Sequence, residues 1–251
     1  MGPNLKLGLI LWIAGMIGVA AMMPIVPQLA AKQTEPKKLS PAALIAISVV
    51  QGGALLALAV WGGIAFASRT GLGARVISEL IGGLGTAALP SALISGCIGA
   101  MIGGAILLAA AAYVRNRLPA PVSKFDPPLS AKLLYGGITE ELFLRWGVMS
   151  ALAWLGAQMS DAPLTAPSAM WSAIVISALL FGVGHLPAAR AVFGGLTARV
   201  TGYVLIANTA FGVMAGFLFW RYGIESAMVA HAGAHAISAA FDKSGTSWGA
   251  R

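Results

Sequence analysis

The stretch Leu133–Leu155, LLYGGITEELFLRWGVMSALAWL, decides the fold, because it is apolar and long enough to cross a bilayer. It also carries Glu140, Glu141 and Arg145. Ionisable groups are costly in hydrocarbon and are placed there with a partner or a function. The chain has only eight acidic residues, so two adjacent glutamates inside a span indicate a buried polar site.

The composition extends this interpretation to the whole chain. Of the 251 residues, 58% are hydrophobic and 10% are charged, whereas a soluble domain carries about 25% charged residues. Long apolar runs alternate with short charged stretches, which predicts an all-α polytopic transmembrane helical bundle. The net charge of +8 comes from basic residues scattered over loops, so it indicates membrane topology and no nucleic-acid partner.

We predict seven spanning helices, and an eighth element is open. The segment Leu72–Leu89 is either an amphipathic interfacial helix or a re-entrant element. We divide the single integral membrane domain into N-terminal helices and an interfacial helix, residues 1–120, and a helical core that carries the paired glutamates, residues 121–251. The predicted spans are Leu7–Val26, Ala42–Ala67, Ala92–Val114, Leu133–Leu155, Ala169–His185, Val200–Trp220 and Ser226–Phe241.

Loop charges predict the orientation. With seven spans, one side holds eleven basic residues: Lys32, Lys37, Lys38, Arg115, Arg117, Lys124, Lys132, Arg190, Arg199, Lys243 and Arg251. The other side holds four: Lys6, Arg69, Arg75 and Arg221. The positive-inside rule then puts the amino terminus outside and the carboxyl terminus in the cytoplasm of a cell-membrane protein. Glu140 would lie roughly 10 Å below the cytoplasmic face.

The glutamate motif has two parts with different geometry. Glu141 and Arg145 are four apart, so they share a helix face and suit an ion pair. Glu140 is rotated by about 100° from Glu141 on an α-helix. It is therefore free to hold a water, a proton or a metal. The alternative is that both acids and the arginine form one structural cluster.

The three histidines of the chain lie in two further motifs, Phe181-x-x-x-His185 and His231-x-x-x-His235. Pro187 predicts that a helix ends or kinks near His185, where a merely solvated histidine is the alternative. His231 and His235 project from one face. Such a pair can chelate zinc, donate to an oxyanion, or form a buried hydrogen-bonded pair.

These motifs together resemble those of the CPBP intramembrane proteases, the CAAX protease and bacteriocin-processing (Abi) family. The family pattern is Glu-Glu-x-x-x-Arg, then Phe-x-x-x-His, then His-x-x-x-Asn or a similar residue. The resemblance covers about Leu133–Ala240 and includes the glycine-rich stretch Phe211–Gly216.

The resemblance implies a proteolytic mechanism. Glu140 and His185 would activate a water that attacks a peptide carbonyl near the cytoplasmic face, with His231 and His235 stabilising the oxyanion. Glu141 and Arg145 would support them. The substrate would be a membrane-associated peptide or protein, with a prenylated tail as one candidate. Position 235 is His where the family often has Asn, which adds a potential metal ligand.

Three hypotheses remain open. We favour a glutamate-type endopeptidase without a cofactor. The second is a zinc protease with His185, His231, His235 or Glu140 as ligands, although no His-Glu-x-x-His motif is present. The third is a non-enzymatic proton-coupled transporter, scaffold or immunity protein, in which the same buried groups form a proton relay.

Overall fold

A computed structural model describes residues 2–26, 39–122, 127–159 and 166–243. These residues form the predicted all-α bundle. The helices that we number are α1 (Pro3–Met22), α2 (Pro41–Thr70), α3 (Arg75–Gly82), α4 (Leu89–Arg117), α5 (Pro167–Gly184), α6 (Leu186–Phe193), α7 (Ala198–Tyr222) and α8 (Ile224–Lys243). Residues 129–159 form a further rod, which we name the motif helix.

Five of the seven predicted spans are helices long and apolar enough to cross a membrane. They are Pro3–Ile25, Pro41–Thr70, Leu89–Arg117, Pro167–Phe193 and Ala198–Tyr222. The protein is therefore an integral membrane protein. The other two predicted spans are helical as well, but the motif helix is divided into shorter pieces and α8 carries several polar residues.

The motif helix departs from the α-helix that the sequence predicted. It begins with the short turn Leu129–Ala131, continues as π-helix over Lys132–Glu140 and Leu142–Met149, and ends as the α-helix Ser150–Met159. A π-helix is wider than an α-helix, because its hydrogen bonds span five residues, and π segments are frequent at functional sites. The rotation of about 100° per residue expected for Glu140 and Glu141 therefore does not apply to this helix.

Helix α8, which carries His231 and His235, is held between two glycine-lined surfaces. On one side it packs extensively against α4, where a Cβ added at Gly103 would lie 2.9 Å from the Ala234 Cβ. On the other side it packs against the motif helix, where a Cβ at Gly137 would lie 2.7 Å from the Ala232 Cβ. Glycine is thus needed for these close approaches, and the histidine helix is fixed on both faces.

Helix α1 packs directly against the first π segment of the motif helix. The Thr139 hydroxyl, which is fully buried, donates to the Gly15 carbonyl oxygen at 2.7 Å. A buried hydroxyl needs such a partner. The amino-terminal helix therefore supports the segment that carries the glutamates, although the division into residues 1–120 and 121–251 stays a prediction.

The segment predicted as interfacial or re-entrant contains α3, a helix of eight residues. At about 1.5 Å per residue it is far too short to span a membrane. The Ile224 amide donates to the Gly73 carbonyl oxygen at 3.1 Å, which ties the start of α8 to the loop before α3. Lys32, Lys37, Lys38, Lys124 and Arg251, used above for orientation, lie outside the described residues.

Candidate active site

The centre of the site is a buried cluster of Glu141, Arg145 and His231. The Glu141 Oε1 atom lies 3.2 Å from Arg145 Nη1, which confirms the predicted ion pair within the motif helix. The same oxygen accepts a hydrogen bond from His231 Nδ1 at 2.7 Å. Glu141 and Arg145 are fully buried and His231 is 5% exposed. One carboxylate thus joins the motif helix to α8.

Aromatic rings enclose this cluster. The Arg145 Cζ lies 4.7 Å from the centroid of the Phe181 ring, a cation–π arrangement. The Phe211 ring lies 4.5 Å from the His231 ring, and Phe181 also contacts His185 at 4.5 Å between ring centroids. Phe181 therefore contacts both the Arg145 guanidinium and the His185 ring. The resulting environment is apolar, so the charges inside it interact strongly.

Several polar atoms of the cluster have no hydrogen-bond partner among the described residues. They are Glu141 Oε2 and the Nε, Nη1 and Nη2 atoms of Arg145. The Arg145 guanidinium is thus held by the ion pair with Glu141 and by the Phe181 ring. Removing the Glu141 charge would leave an uncompensated cation in an apolar site, which is strongly destabilising.

His185 lies at the junction of α5 and α6, as Pro187 predicted. It follows the last residue of α5 and precedes the first residue of α6. Its Nδ1 lies 2.8 Å from the Phe181 carbonyl oxygen. A carbonyl oxygen only accepts, so Nδ1 carries the hydrogen and Nε2 is left with its lone pair in the neutral ring. The His185 side chain is half-buried.

His231 and His235 share one face of α8, as their spacing predicted. Their rings are stacked, with centroids 5.1 Å apart and an interplanar angle of 24°. Both Nε2 atoms face Gly136 of the motif helix: a Cβ added there would lie 3.1 Å from His235 Nε2 and 3.5 Å from His231 Nε2. The missing side chain at position 136 leaves room where two ring nitrogens meet. His235 also interacts electrostatically with His185 and with Lys132.

Glu140 differs from its neighbour Glu141 in its burial and in its bonding partners. It is half-buried, and it makes no hydrogen bond or ion pair with another described residue. Its carboxylate interacts electrostatically with Tyr135, one turn earlier in the motif helix. No direct contact in the described structure joins Glu140 to a histidine, and its role as the group that holds a water, a proton or a metal stays a prediction.

The interactions that sequence reasoning missed are contacts between different helices. The sequence assigned Glu141 to Arg145 alone, but it also holds His231, ninety positions away. No local signal could reveal this bond, because it depends on how the motif helix and α8 meet. Gly136 and Gly137 were missed for the same reason. Phe181 and Phe211 stood in the quoted motifs, but their ring contacts were not predicted.

The zinc alternative depends on how the potential ligands are arranged. A catalytic zinc site needs three protein ligands around one point. Within residues 2–26, 39–122, 127–159 and 166–243, no three His, Cys, Asp or Glu side chains are arranged to hold a metal ion. His231 further uses Nδ1 to hold Glu141, so only Nε2 could be a ligand.

Fold and site together define a polytopic helical membrane protein with a buried carboxylate–histidine centre. Residues 127–237 match the family model described as Type II CAAX prenyl endopeptidase Rce1-like. The match includes each of the candidate site residues and confirms the resemblance to the CPBP intramembrane proteases over this segment. It supports intramembrane proteolysis as the general activity. No curated protein and no solved structure matches the chain.

Proposed function

We propose that the protein is an intramembrane endopeptidase in which Glu140 and His185 activate a water without a metal ion. His231 and His235 stabilise the oxyanion, and Glu141 and Arg145 position His231. The observation that carries this proposal is the 2.7 Å hydrogen bond from His231 to the buried Glu141 carboxylate. It orients the His231 ring so that Nε2 faces the space beside Gly136, where His235 Nε2 also points.

Because of this hydrogen bond, His231 can donate to an oxyanion only in its protonated form. With Nδ1–H donating to Glu141, a neutral His231 has only a lone pair on Nε2 and cannot donate there. As an oxyanion donor, His231 therefore carries a second proton and a positive charge, and the Glu141 carboxylate compensates that charge. A donor fixed in this way before the reaction stabilises developing negative charge without reorganisation.

Glu140 is the proposed base because, of the two adjacent carboxylates, it is the one without a bonding partner in the described structure. Glu141 is occupied by an arginine and a histidine, whereas Glu140 is half-buried and unbonded within the described structure. His185 presents the lone pair of Nε2, because Nδ1–H is held by the Phe181 carbonyl. A water held between these two groups would give its proton to Glu140 as it attacks the peptide carbonyl.

The substrate is a membrane-associated protein or peptide, cut close to the cytoplasmic face. The loop-charge count supports that side, and the apolar spans support access from the bilayer. The matching family is described as a CAAX prenyl endopeptidase, so a prenylated carboxyl-terminal peptide is the first substrate to offer.

The test is cleavage of membrane peptides, prenylated and unprenylated, by the purified full-length protein. We expect cleavage by the wild type and loss of at least about a hundredfold in Glu140→Ala and in His185→Ala. Arg190→Ala on α6 is the matched control, because Arg190 is exposed, and should keep full activity. Full activity in Glu140→Ala would overturn the mechanism.

A chelator arm separates the proposal from a zinc protease. We expect the wild type to cleave equally with and without a chelator. Complete loss that zinc restores would replace the glutamate mechanism with a metal-dependent one. Proton flux into liposomes that depends on Glu140, without any cleavage, would instead support a transporter.

A further inference from the structure

A polar cavity lies away from the candidate active site, where α2 and α7 end. It has a volume of about 330 Å³ and is lined by Thr70, Gly71, Arg75, Trp220 and Arg221. Trp220 stands nine residues after Phe211 on α7, which is roughly 13 Å along the helix. Because Phe211 contacts the His231 ring, the cavity is separated from the candidate active site along α7.

Two arginines give this cavity its positive charge. Arg75 Nη2 donates to the Trp220 carbonyl oxygen at 3.3 Å, which uses one of the five N–H groups of the guanidinium. Arg221 Cζ lies 5.6 Å from the centroid of the Trp220 ring. Both arginines are exposed, and in the described part of the chain neither forms an ion pair with a carboxylate. Most of their donors are therefore available to an anion.

Glu225 lies close to Arg75, and the Oε2 atom of its carboxylate is buried without a hydrogen-bond partner among the described residues. Glu225 Oε1 accepts a hydrogen bond from the Ile77 amide at 3.0 Å, so its carboxylate caps the amino end of α3. This cap and the bond from Ile224 to Gly73 fix the wall of the cavity that carries Arg75. Gly223 has a φ of 99°, and a Cβ there would lie 3.3 Å from Arg75 Cγ.

An exposed aromatic surface continues from the cavity along the bundle. The Trp171 ring meets Trp220 edge-on at 6.0 Å and stacks on Phe217 at 6.1 Å between centroids. Trp171 is 44% exposed and Phe217 is 37% exposed. These residues belong to spans α5 and α7, and tryptophan is enriched where such spans leave the hydrocarbon. A cationic cavity above an apolar aromatic face matches an anionic amphiphile.

We propose that this cavity binds the phosphate group of an anionic phospholipid, whose acyl chains lie over the Trp171 and Phe217 rings. The arginines supply charge-assisted hydrogen bonds to the phosphate oxygens. Free phosphate shares the headgroup chemistry, but it would not use the aromatic surface. The lipid contributes to holding the ends of α2 and α7 together, at the face of the bundle away from the glutamate motif.

Binding of short-chain phosphatidylglycerol to the full-length protein in detergent tests the proposal, with short-chain phosphatidylcholine and inorganic phosphate as comparison ligands. We expect phosphatidylglycerol to bind at least about fivefold more tightly than phosphatidylcholine, since each arginine near a membrane surface favours anionic lipid to about this extent. Inorganic phosphate should bind far more weakly than phosphatidylglycerol. Equal binding of the two lipids would overturn the proposal, and inorganic phosphate binding as tightly as the lipid would replace the lipid by free phosphate.

Arg221→Gln is the informative variant, because Arg221 makes no hydrogen bond within the described residues and its loss should leave the fold intact. We expect it to weaken phosphatidylglycerol binding about fivefold while phosphatidylcholine binding is unchanged. Arg69→Gln is the matched control: Arg69 is an exposed arginine in the last turn of α2 that does not line the cavity. Equal weakening in Arg69→Gln and Arg221→Gln would show a diffuse surface charge and contradict a site. The readout does not involve proteolysis.

Discussion

The two adjacent glutamates belong to regions of opposite character. Glu141 lies in the buried cluster with Arg145 and His231, where its Oε1 atom contacts both side chains. Glu140 is half-buried and forms no hydrogen bond or ion pair with another described residue. The comparison teaches that two consecutive positions of the motif helix hold a group that fixes the site and a group that is left unbonded. Variants at the two positions should therefore fail in different ways.

The largest effect is expected from Glu140→Gln. If Glu140 is the base, an amide in its place removes the proton acceptor and should lower kcat by about 10²–10⁴-fold. The fold should survive, since Glu140 bonds to no other described residue. Thermal unfolding in detergent should therefore match the wild type. Near-normal cleavage by this variant would show that another group takes the proton.

Glu141→Gln should act first on stability. The substitution leaves the Arg145 guanidinium without its counter-charge inside an apolar site, which costs about 3–5 kcal/mol for a buried pair. We expect a clearly lower midpoint of unfolding together with reduced cleavage. The double variant Glu141→Gln/Arg145→Met should recover part of the stability, because it also removes the unpaired cation. An unchanged midpoint in Glu141→Gln would contradict the structural role assigned to this carboxylate.

Gly137→Ala sharpens the comparison on the packed side of the motif helix. Its new methyl group would lie 2.7 Å from the Ala232 Cβ and 3.0 Å from the Ala232 Cα, so the motif helix and α8 must separate. Overpacking of this kind costs about 1–3 kcal/mol. A lower unfolding midpoint should accompany the loss of activity. A gain in stability would show that the two helices are less closely fitted than described.

Gly136→Ala should give the smallest change and the cleanest separation. The methyl group would meet ring nitrogens of His235 and His231 at 3.1 and 3.5 Å rather than a backbone. We expect kcat to fall about tenfold, which corresponds to about 1.4 kcal/mol of barrier. Stability should be unchanged or slightly higher, because alanine favours helices over glycine by about 1 kcal/mol. Matching losses of stability in Gly136→Ala and Gly137→Ala would remove the distinction between the two faces.

What the sequence could predict depends on how local the interaction is. The ion pair of Glu141 with Arg145 followed from a spacing of four, and the helix junction at His185 followed from Pro187. The stacking of His231 and His235 also arises within one helix. The bond between Glu141 and His231 could not be predicted, because it depends on the placement of two helices that are ninety residues apart. The π-helical form of Lys132–Glu140 and Leu142–Met149 could not be predicted either, because the sequence analysis had no signal that distinguishes it from an α-helix.

The helices packed against α8 tolerate few substitutions where they contact it, even at positions without a candidate catalytic residue. The helices packed against it have glycine at positions 99, 103 and 137. A Cβ added at Gly99, Gly103 or Gly137 would lie within 2.9 Å of a side-chain atom. A saturation scan of the gene should therefore find intolerant positions in α4, a helix without any candidate catalytic residue. Activity alone would make these packing positions look catalytic. Each position must therefore also be scored for the amount of folded protein.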